Sequence, residues 1–367
     1  MTKRIDKIIN PLYEWSANFS QNICKELVHK SFNSEVFLTD SYKTSNNSFL
    51  VSAFLPKTHI YYNDIPDSLA YRHDVSLLLE VFRQTSIYAA HKFYDVPMDS
   101  KFIFESADFK IFNHNNKICS IKDYQAIVGV NILEKKNKKN LLCGLVLEMT
   151  MFIDSKIYAN KVMVISWLKP QVWNKLRKST LKNTAQVLDD KIISKSIVGK
   201  RFSKNVVISD IVEQPLFYYT SIIPNQTHPA FFDHPLDHIP AALLIEALRQ
   251  SSISIINKAY NILLSNLYLT NIEIHFESFC EFENKNICII EKESLTLNHQ
   301  EIKIQAKIKN GNKTCVSSKL KFIVEDNKWL KQFGLILAEY YLHPLRRFLI
   351  SITTKQILNQ SSLRKQC

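Results

Sequence analysis

Glycine is scarce in this chain of 367 residues: it occurs five times, and no two glycines lie close together. Loops that bind a dinucleotide or cradle a phosphate through the backbone need closely spaced glycines. The chain therefore lacks both kinds of glycine-rich motif, and we expect no cofactor.

Paired cysteine motifs are missing too. The seven cysteines are scattered, their number is odd, and no CxxC occurs. Such usage is typical of free thiols in a reducing compartment rather than of a disulfide framework or a zinc site.

Long apolar runs are also absent. Residues 1–19 contain no apolar core of a signal peptide. The most apolar stretch near the end, residues 333–350, is interrupted by charged residues and a proline, so we do not expect it to span a membrane. We expect a cytoplasmic protein.

Acidic residues are outnumbered by basic ones. The chain contains 34 Asp and Glu residues against 47 Lys and Arg residues, which gives a formal net charge of +13. This excess indicates either a solvated lysine-rich surface or a partner that is an acidic protein, a phosphorylated ligand or nucleic acid. The lysines are spread along the chain and no nucleic-acid motif occurs, so we do not expect nucleic acid.

One helical segment occurs twice. Residues 77–94 read LLLEVFRQTSIYAAHKFY, residues 240–260 read PAALLIEALRQSSISIINKAY, and a shift of 166 aligns their Glu, Arg and Gln residues. Each copy has a Glu inside an apolar run and an Arg three residues later on the same helix face. A buried carboxylate is costly unless it is paired. Each Glu–Arg pair is therefore either a structural ion pair or a carboxylate used in chemistry.

Strand-like segments precede and follow both helices in the same order. They are rich in β-branched and aromatic residues and are separated by short polar gaps such as KKNKKN and NGNK, which is typical of antiparallel hairpins. Self-similarity this long indicates a tandem duplication and an α+β fold. The predicted parts are a helical lead-in (1–30), a first repeat (31–168), a polar helical connector (169–203), a second repeat (204–325) and a C-terminal helical extension (326–367). We expect the extension either to pack on the body or to form a homo-oligomer contact.

The segment 228–250, HPAFFDHPLDHIPAALLIEALRQ, closely resembles the second-repeat signature of the A-factor biosynthesis hotdog family, the AfsA-type γ-butyrolactone synthases. The first repeat fits the family through EVFLTD, PKTHIYY and LLLEVFRQ, in that order. The resemblance implies a tandem (double) hotdog: two long central helices, each wrapped by an antiparallel sheet and paired as a pseudo-dimer.

The same resemblance implies an activity. Family members of this kind condense a β-ketoacyl group from acyl carrier protein with dihydroxyacetone phosphate, towards butyrolactone signals of secondary metabolism and quorum sensing. The basic charge fits both partners, since acyl carrier protein is acidic and the acceptor is a phosphate. The alternatives are another acyl-thioester activity (dehydratase or thioesterase) and a non-catalytic acyl-binding module.

A looser resemblance links the second helix to the β-hydroxyacyl-carrier dehydratases, whose catalytic Glu lies six residues after a Pro. Here Pro240 precedes Glu246 by six residues, but the dehydratase loop Gly-His-Phe-Pro-Gly is absent. Two departures from the A-factor pattern are Ala241, where a Gly is usual, and DSLAYRHD in place of the DHPxDH loop of the second repeat. The second site is therefore expected to be the more intact one.

The predicted catalytic residues are Glu246, Arg249 and Glu80. Glu246 is expected to act as general base, with a pKa raised by desolvation. Arg249 is expected to bind the acceptor's phosphate or to hold the Glu. The duplicate pair, Glu80 with Arg83, either completes the site or forms a degenerate second one.

The remaining predicted substrate-binding residues are Arg83, His234, Asp237, His238 and His228. The loop from Asp233 to His238 contains metal-ligand residue types, but its prolines make it a rigid turn, and we expect no metal. It is predicted to shape the entrance and to direct the helix N-terminus at a thioester oxyanion. His59 and His228 recur at one place in both repeats, where either a structural hydrogen bond or a role in the site explains them.

Overall fold

The structure is a computed structural model that describes residues 14–65, 72–112, 118–177 and 190–325. The α-helices in these ranges are α1 (Val75–Tyr94), α2 (Pro170–Arg177) and α3 (Ala241–Tyr260). The strands of the first repeat are β1 (Leu38–Ser45), β2 (Ser48–Phe54), β3 (Lys101–Ile111), β4 (Gln125–Lys138), β5 (Leu141–Ile153) and β6 (Lys156–Leu168). The strands of the second repeat are β7 (Val212–Glu213), β8 (Phe217–Ser221), β9 (Leu267–Phe276), β10 (Asn286–Glu291), β11 (Thr296–Asn298), β12 (Glu301–Asn310) and β13 (Lys313–Val324).

The strands of the described residues form one antiparallel sheet. From one edge to the other their order is β1-β2-β4-β5-β6-β3-β9-β13-β12-β10-β8-β7, and β11 pairs with β12. Read outward from the middle, each repeat presents the strand that follows its long helix, then its last strand, then its middle strands. The strands that precede the helix lie at the outer edge. The pairing of β3 with β9 joins the repeats in one sheet, with Phe109 opposite Ile272 and Ala107 opposite Ile274. The predicted α+β architecture with two long helices and antiparallel strands is confirmed.

The two long helices begin differently and end alike. At the start of α1, the Asp74 carboxylate accepts a hydrogen bond from the backbone N–H of Ser76. At the start of α3 stands Pro240, which offers no side-chain cap. Both helices end at a residue in the left-handed conformation, Asp95 and Asn261, each with φ of 52°. Asp and Asn tolerate that conformation better than most residues.

One hydrophobic core packs both helices against the sheet. Alternation along the strands builds its sheet side: in β12 the inward Ile302, Ile304 and Ile308 are buried, while the lysines between them are exposed. Each fully buried side chain of this kind stabilises the fold by about 1.5–3 kcal/mol. The helices contact each other as well as the sheet, which holds their polar residues at fixed positions near the seam between the repeats.

The segments that flank the repeats are described in part. The described portion of the predicted lead-in contains a 3-10 helix over Lys25–Val28. The connector begins with α2, and residues 178–189 lie outside the described part of the chain. The chain divides into a compact unit, Met1–Val324, and a second unit, Glu325–Cys367. The predicted C-terminal extension, 326–367, lies outside the described residues. None of the helices in the described ranges has the length and apolar character needed to cross a membrane.

Candidate active site

Each long helix carries its predicted Glu–Arg pair, and in each pair the arginine forks onto the carboxylate. Arg83 donates from Nε and Nη2 to the two oxygens of Glu80, both at 2.8 Å. Arg249 donates from the same atoms to Glu246 at 2.9 and 3.0 Å. Two parallel, charge-assisted hydrogen bonds fix the geometry of both groups.

A lysine that the sequence argument missed completes each pair. Lys30 Nζ lies 3.1 Å from Glu80 Oε1, and Lys200 Nζ lies 3.2 Å from Glu246 Oε1. Both lysines come from the segment that precedes the first strand of their repeat. Upstream of the helices the repeat aligns at a shift of 170 instead of 166, and residues 30–32 (KSF) then match residues 200–202 (KRF). This match would have identified both lysines.

A glutamine one turn after each Glu ties the helix to the preceding segment. Gln84 donates from Nε2 to the carbonyl oxygen of Glu35 at 2.7 Å and to Glu80 at 2.9 Å, and its Oε1 accepts from the N–H of Phe37. Gln250 makes the corresponding three contacts in the second repeat. An arginine, a lysine and a glutamine therefore hold each carboxylate.

The cations around both carboxylates decide their protonation. Burial alone would raise the pKa of Glu246, but the charges of Arg249 and Lys200 outweigh burial and lower its pKa to about 2. In the same way, the charges of Arg83 and Lys30 outweigh burial and lower the pKa of Glu80. The predicted rise in the pKa of Glu246 is therefore wrong, because the charge of Arg249, together with that of Lys200, outweighs desolvation.

Asp74 closes the pair of the second helix. Its Oδ2 accepts from Arg249 Nη1 at 3.1 Å, and its Oδ1 accepts from the N–H of Ser76 at 2.7 Å. The Ser76 hydroxyl also donates to Glu246 at 3.2 Å. The Asp74 carboxylate thus bridges Nη1 of Arg249 and the first turn of α1. The corresponding N-cap in the second repeat is Pro240, which has no carboxylate to offer Arg83.

Arg83 instead faces a cavity of about 480 Å³ that both repeats line. The first repeat contributes Lys30, Glu80 and Arg83 to the cavity wall, and the second repeat contributes the loop 233–240 and the start of α3. The loop therefore lies over the Glu–Arg pair of the other repeat, not over the pair that follows it in the sequence.

The predicted residues do not all meet at this cavity. Glu246 and Arg249 line neither this cavity nor the smaller one next to it. The residues that do line it are Glu80, Arg83, His234, Asp237 and His238.

The loop 233–240 is fastened at both ends. Asp233 Oδ2 accepts from the N–H of Ser31 at 2.8 Å, and its Oδ1 accepts from His234 Nδ1 at 2.6 Å. Asp237 Oδ1 accepts from His238 Nδ1 at 2.6 Å. Among the described residues, no three His, Cys, Asp or Glu side chains are placed to hold a metal ion. The aspartates shape the loop, while the His234 side chain is 42% exposed.

Arg177, at the end of α2, fastens the second end of the loop and was not singled out from the sequence. Its Nε donates to Asp237 at 2.9 Å, and its two Nη atoms donate to the two oxygens of Glu281 at 2.6 and 2.7 Å. Its guanidinium lies against the ring of Phe279. The connector between the repeats thus supplies a support for the loop.

His228 occupies a structural position. Its Nε2 donates to Asn205 at 2.8 Å, its Nδ1 accepts from the N–H of Ala230, and burial lowers its pKa to about 4. His59 makes the matching contacts, with Nε2 3.2 Å from Glu35. His228 lines neither cavity, so we leave it out of the site that we propose.

A second cavity of about 60 Å³ continues from the first between the two helices and the seam strands. Six residues line both cavities and form the neck between them: Glu80, Arg83, Phe104, Ala241, Ala242 and Phe276. The inner chamber is walled mostly by apolar side chains of α1, α3, β3 and β9. Ala241 and Ala242 begin α3, where the backbone N–H groups have no intrahelical acceptor. The neck therefore combines a carboxylate, a guanidinium and helix-end amides.

A family model and several known proteins are similar to this chain in sequence. A family model described as the A-factor biosynthesis hotdog domain matches residues 14–165 and 183–325. A 2-oxo-3-(phosphooxy)propyl 3-oxoalkanoate synthase from Streptomyces virginiae is 24% identical over 234 residues, which are 64% of this chain and 76% of that protein. A protein of the same name from Streptomyces coelicolor is 24% identical over 62% of this chain and 70% of its own length.

Among solved structures, the dehydratase domain of RzxB from Pseudomonas fluorescens is similar over 78% of this chain and 97% of its own, with a TM-score of 0.47 and 7% sequence identity. The family model matches the chain twice, and the two matches together cover most of its length. The chain therefore belongs to the A-factor biosynthesis hotdog family and has the tandem hotdog fold that the sequence predicts.

Proposed function

We propose that this protein is an acyltransferase that joins a 3-oxoacyl group, delivered as a thioester on acyl carrier protein, to the hydroxyl of dihydroxyacetone phosphate. The name of the relatives describes an ester with these two parts, a 3-oxoalkanoate and a phosphooxy-bearing propyl ketone. The observation that carries the proposal is the open guanidinium of Arg83 beside the uncapped start of α3, at the neck between the larger cavity and the smaller inner one.

The Glu246–Arg249 pair, which Asp74 closes, is our template for anion binding at the open pair, Glu80 with Arg83. In the closed pair, the Asp74 carboxylate bridges Arg249 Nη1 and a helix-start N–H. Arg83 Nη1 has no such partner within the described residues, and the N–H that corresponds to Ser76 belongs to Ala242. Arginine forks and helix N-termini both favour phosphate. We place the acceptor's phosphate at this position, with Lys30 and Lys101 on the same cavity wall.

Acceptor binding also activates the base in this proposal. Arg83 and Lys30 hold the pKa of Glu80 down in the free protein, which makes it a weak base. A bound phosphate shares their positive charge, so the pKa of Glu80 rises when the acceptor is in place. Glu80 then takes the proton of the acceptor hydroxyl, the hydroxyl oxygen attacks the thioester carbonyl, and the carrier's thiol leaves with a proton. The first carbons of the acyl chain lie in the inner chamber.

Mass spectrometry of a reaction mixture tests the proposal. The protein is incubated with a 3-oxoacyl carrier protein and either dihydroxyacetone phosphate or dihydroxyacetone. We expect a phosphorylated 3-oxoacyl ester, and little ester from the unphosphorylated acceptor even at saturation. Release of free acid without any ester would replace the proposal with a thioesterase, and dehydration of a hydroxyacyl carrier would replace it with a dehydratase.

The two arginines provide matched variants for the same assay. Arg83→Gln should abolish ester formation, whereas Arg249→Gln should lower stability and leave the ester as product. Circular dichroism verifies that each variant is folded. Loss of the ester in Arg249→Gln with full activity in Arg83→Gln would move the site to the other repeat.

A further inference from the structure

A lysine is buried in the sheet wall of the inner chamber. Lys161 is an inward residue of β6 with 5% of its surface exposed. The other inward residues on this face are apolar: Ala159, Met163, Ile165 and Trp167. Burying an ammonium costs several kcal/mol unless a partner compensates it. Within the described part of the chain, Lys161 Nζ makes no hydrogen bond or ion pair. Such a group is costly for the fold, which suggests a role in binding.

The fold itself does not require this lysine. The strand of the second repeat in the matching place is β13, which pairs with β9 as β6 pairs with β3. Its buried inward residues are Val316, Ser318, Leu320 and Phe322, none of which is charged. A buried lysine at this strand position is thus confined to the repeat whose Glu–Arg pair faces the open cavity.

Lys161 reaches the part of the chamber next to the neck. It lines the inner cavity together with Glu80 and Arg83, and its charge interacts with both. Burial, together with the charge of Arg83, lowers its pKa to about 7, against the opposing effect of Glu80. The amine donates hydrogen bonds in either protonation state. At about 60 Å³, the chamber holds about four to six water-sized groups, which matches the first carbons of an acyl chain and their oxygens.

We propose that Lys161 Nζ donates a hydrogen bond to the 3-oxo oxygen of the acyl chain and thereby makes the chamber selective for 3-oxoacyl over saturated acyl groups. This inference rests on the proposed function. A thioester carbonyl at the neck places its C3 oxygen two carbons further in, towards the lysine. A saturated chain leaves the buried amine without an acceptor, and such a mismatch is what rejects the wrong substrate in polar binding sites.

Competition between two carriers tests this inference. The kcat/KM of the wild type is measured for a 3-oxoacyl and a saturated acyl carrier protein of equal chain length, beside Lys161→Met and Lys161→Gln. We expect the wild type to prefer the 3-oxoacyl carrier by about 10–100-fold, the range for a hydrogen bond to a charged group. Lys161→Met should remove that preference by lowering kcat/KM for the 3-oxoacyl carrier alone, and Lys161→Gln, which keeps a donor, should retain part of it.

The outcomes separate this inference from the proposed function. A wild type that forms ester, with a Lys161→Met variant that keeps the full preference, overturns the role of Lys161 and leaves the acyltransferase proposal intact. If the wild type forms no ester, the proposed function fails, and the same comparison is made on the Kd of the two carriers. A Kd ratio that does not change in either variant then overturns the inference. Lys161→Met should fold, because an apolar side chain replaces an unpaired buried ammonium.

Discussion

Asp74 and Arg249 form an ion pair at 3.1 Å that links the start of α1 to the middle of α3. The duplicate position offers no equivalent, because Pro240 stands where Arg83 would need a carboxylate. The two halves of the duplication have therefore diverged in one respect that matters for chemistry. One Glu–Arg pair is closed by a side chain of the protein itself, and the other is open to a cavity.

Replacing Asp74 by Asn should weaken the fold without impairing catalysis. Asn still caps α1 but removes the negative charge, which leaves Arg249 with one carboxylate. We expect the free energy of unfolding to fall by about 1.5–3 kcal/mol, as for the loss of a charged hydrogen bond. Urea denaturation measures the loss, and kcat should change little. A large loss of kcat at unchanged stability would show that the closed pair takes part in the reaction.

Replacing Asp74 by Gly should open a second anion site. Gly is an acceptable N-cap, so α1 should persist, while Arg249 Nη1 and the helix-start N–H of Ser76 lose their carboxylate. Inorganic phosphate is the probe, and equilibrium dialysis gives the stoichiometry. We expect one phosphate per chain in the wild type and two in the variant. Equal stoichiometry would contradict the use of Asp74 as a template for the anion.

Glu80→Gln and Glu246→Gln should separate catalysis from stability. Loss of a general base lowers the rate by about 10²–10⁴-fold, and we expect this fall in kcat for Glu80→Gln alone. Glu246→Gln removes the carboxylate that pairs with Arg249 and Lys200, so we expect it to lower the free energy of unfolding. Single-turnover rates and urea denaturation of both variants supply the comparison. The reverse assignment would restore Glu246 as the base.

Acid should destabilise the protein through Glu246. Its pKa is lowered to about 2 from an ordinary value of 4.5, so the unfolded state binds its proton more readily than the folded state. The resulting stability is present above pH 4.5 and is lost as pH falls through 2. The full loss is on the order of 3 kcal/mol. Denaturation curves between neutral pH and pH 2 measure it, and Glu246→Gln should lack this part of the pH dependence.

The sequence predicted the parts of this molecule that depend on local patterns. Helical periodicity located α1 and α3 within two residues of their ends, and the repeated Glu and Arg positions fixed both pairs. The succession of strands and one long helix along each repeat agreed with the duplication. These features are readable because each depends on residues close together in the chain.

The arrangement of the site could not be read in the same way. The loop 233–240 precedes Glu246 by a few residues yet covers Glu80, because the pairing of β3 with β9 brings the repeats together. Lys30 lies far from Glu80 in the sequence, and Arg177 far from Asp237, so no spacing within one helix connects them. The repeat aligns Lys30 with Lys200, but it does not say which carboxylate each lysine contacts. The predicted direction of the pKa shift of Glu246 was wrong because desolvation was given more weight than the charges around the carboxylate. Arg249 lies on the same helix, whereas Lys200 is distant in the sequence.

Arg177 should control the loop from outside the cavity. Its guanidinium is paired with Asp237 and Glu281 and does not line the cavity, so Arg177→Leu removes no substrate contact. It does leave two partly buried carboxylates without their cation, a change that typically costs about 3–5 kcal/mol. We expect faster amide hydrogen exchange in residues 233–240 and a higher KM for the acceptor. Arg177→Lys restores the charge but not the fork, so exchange and KM should fall between those of Arg177→Leu and the wild type. A rise in KM with unchanged exchange in the loop would mean that Arg177 acts on the substrate and not through the loop.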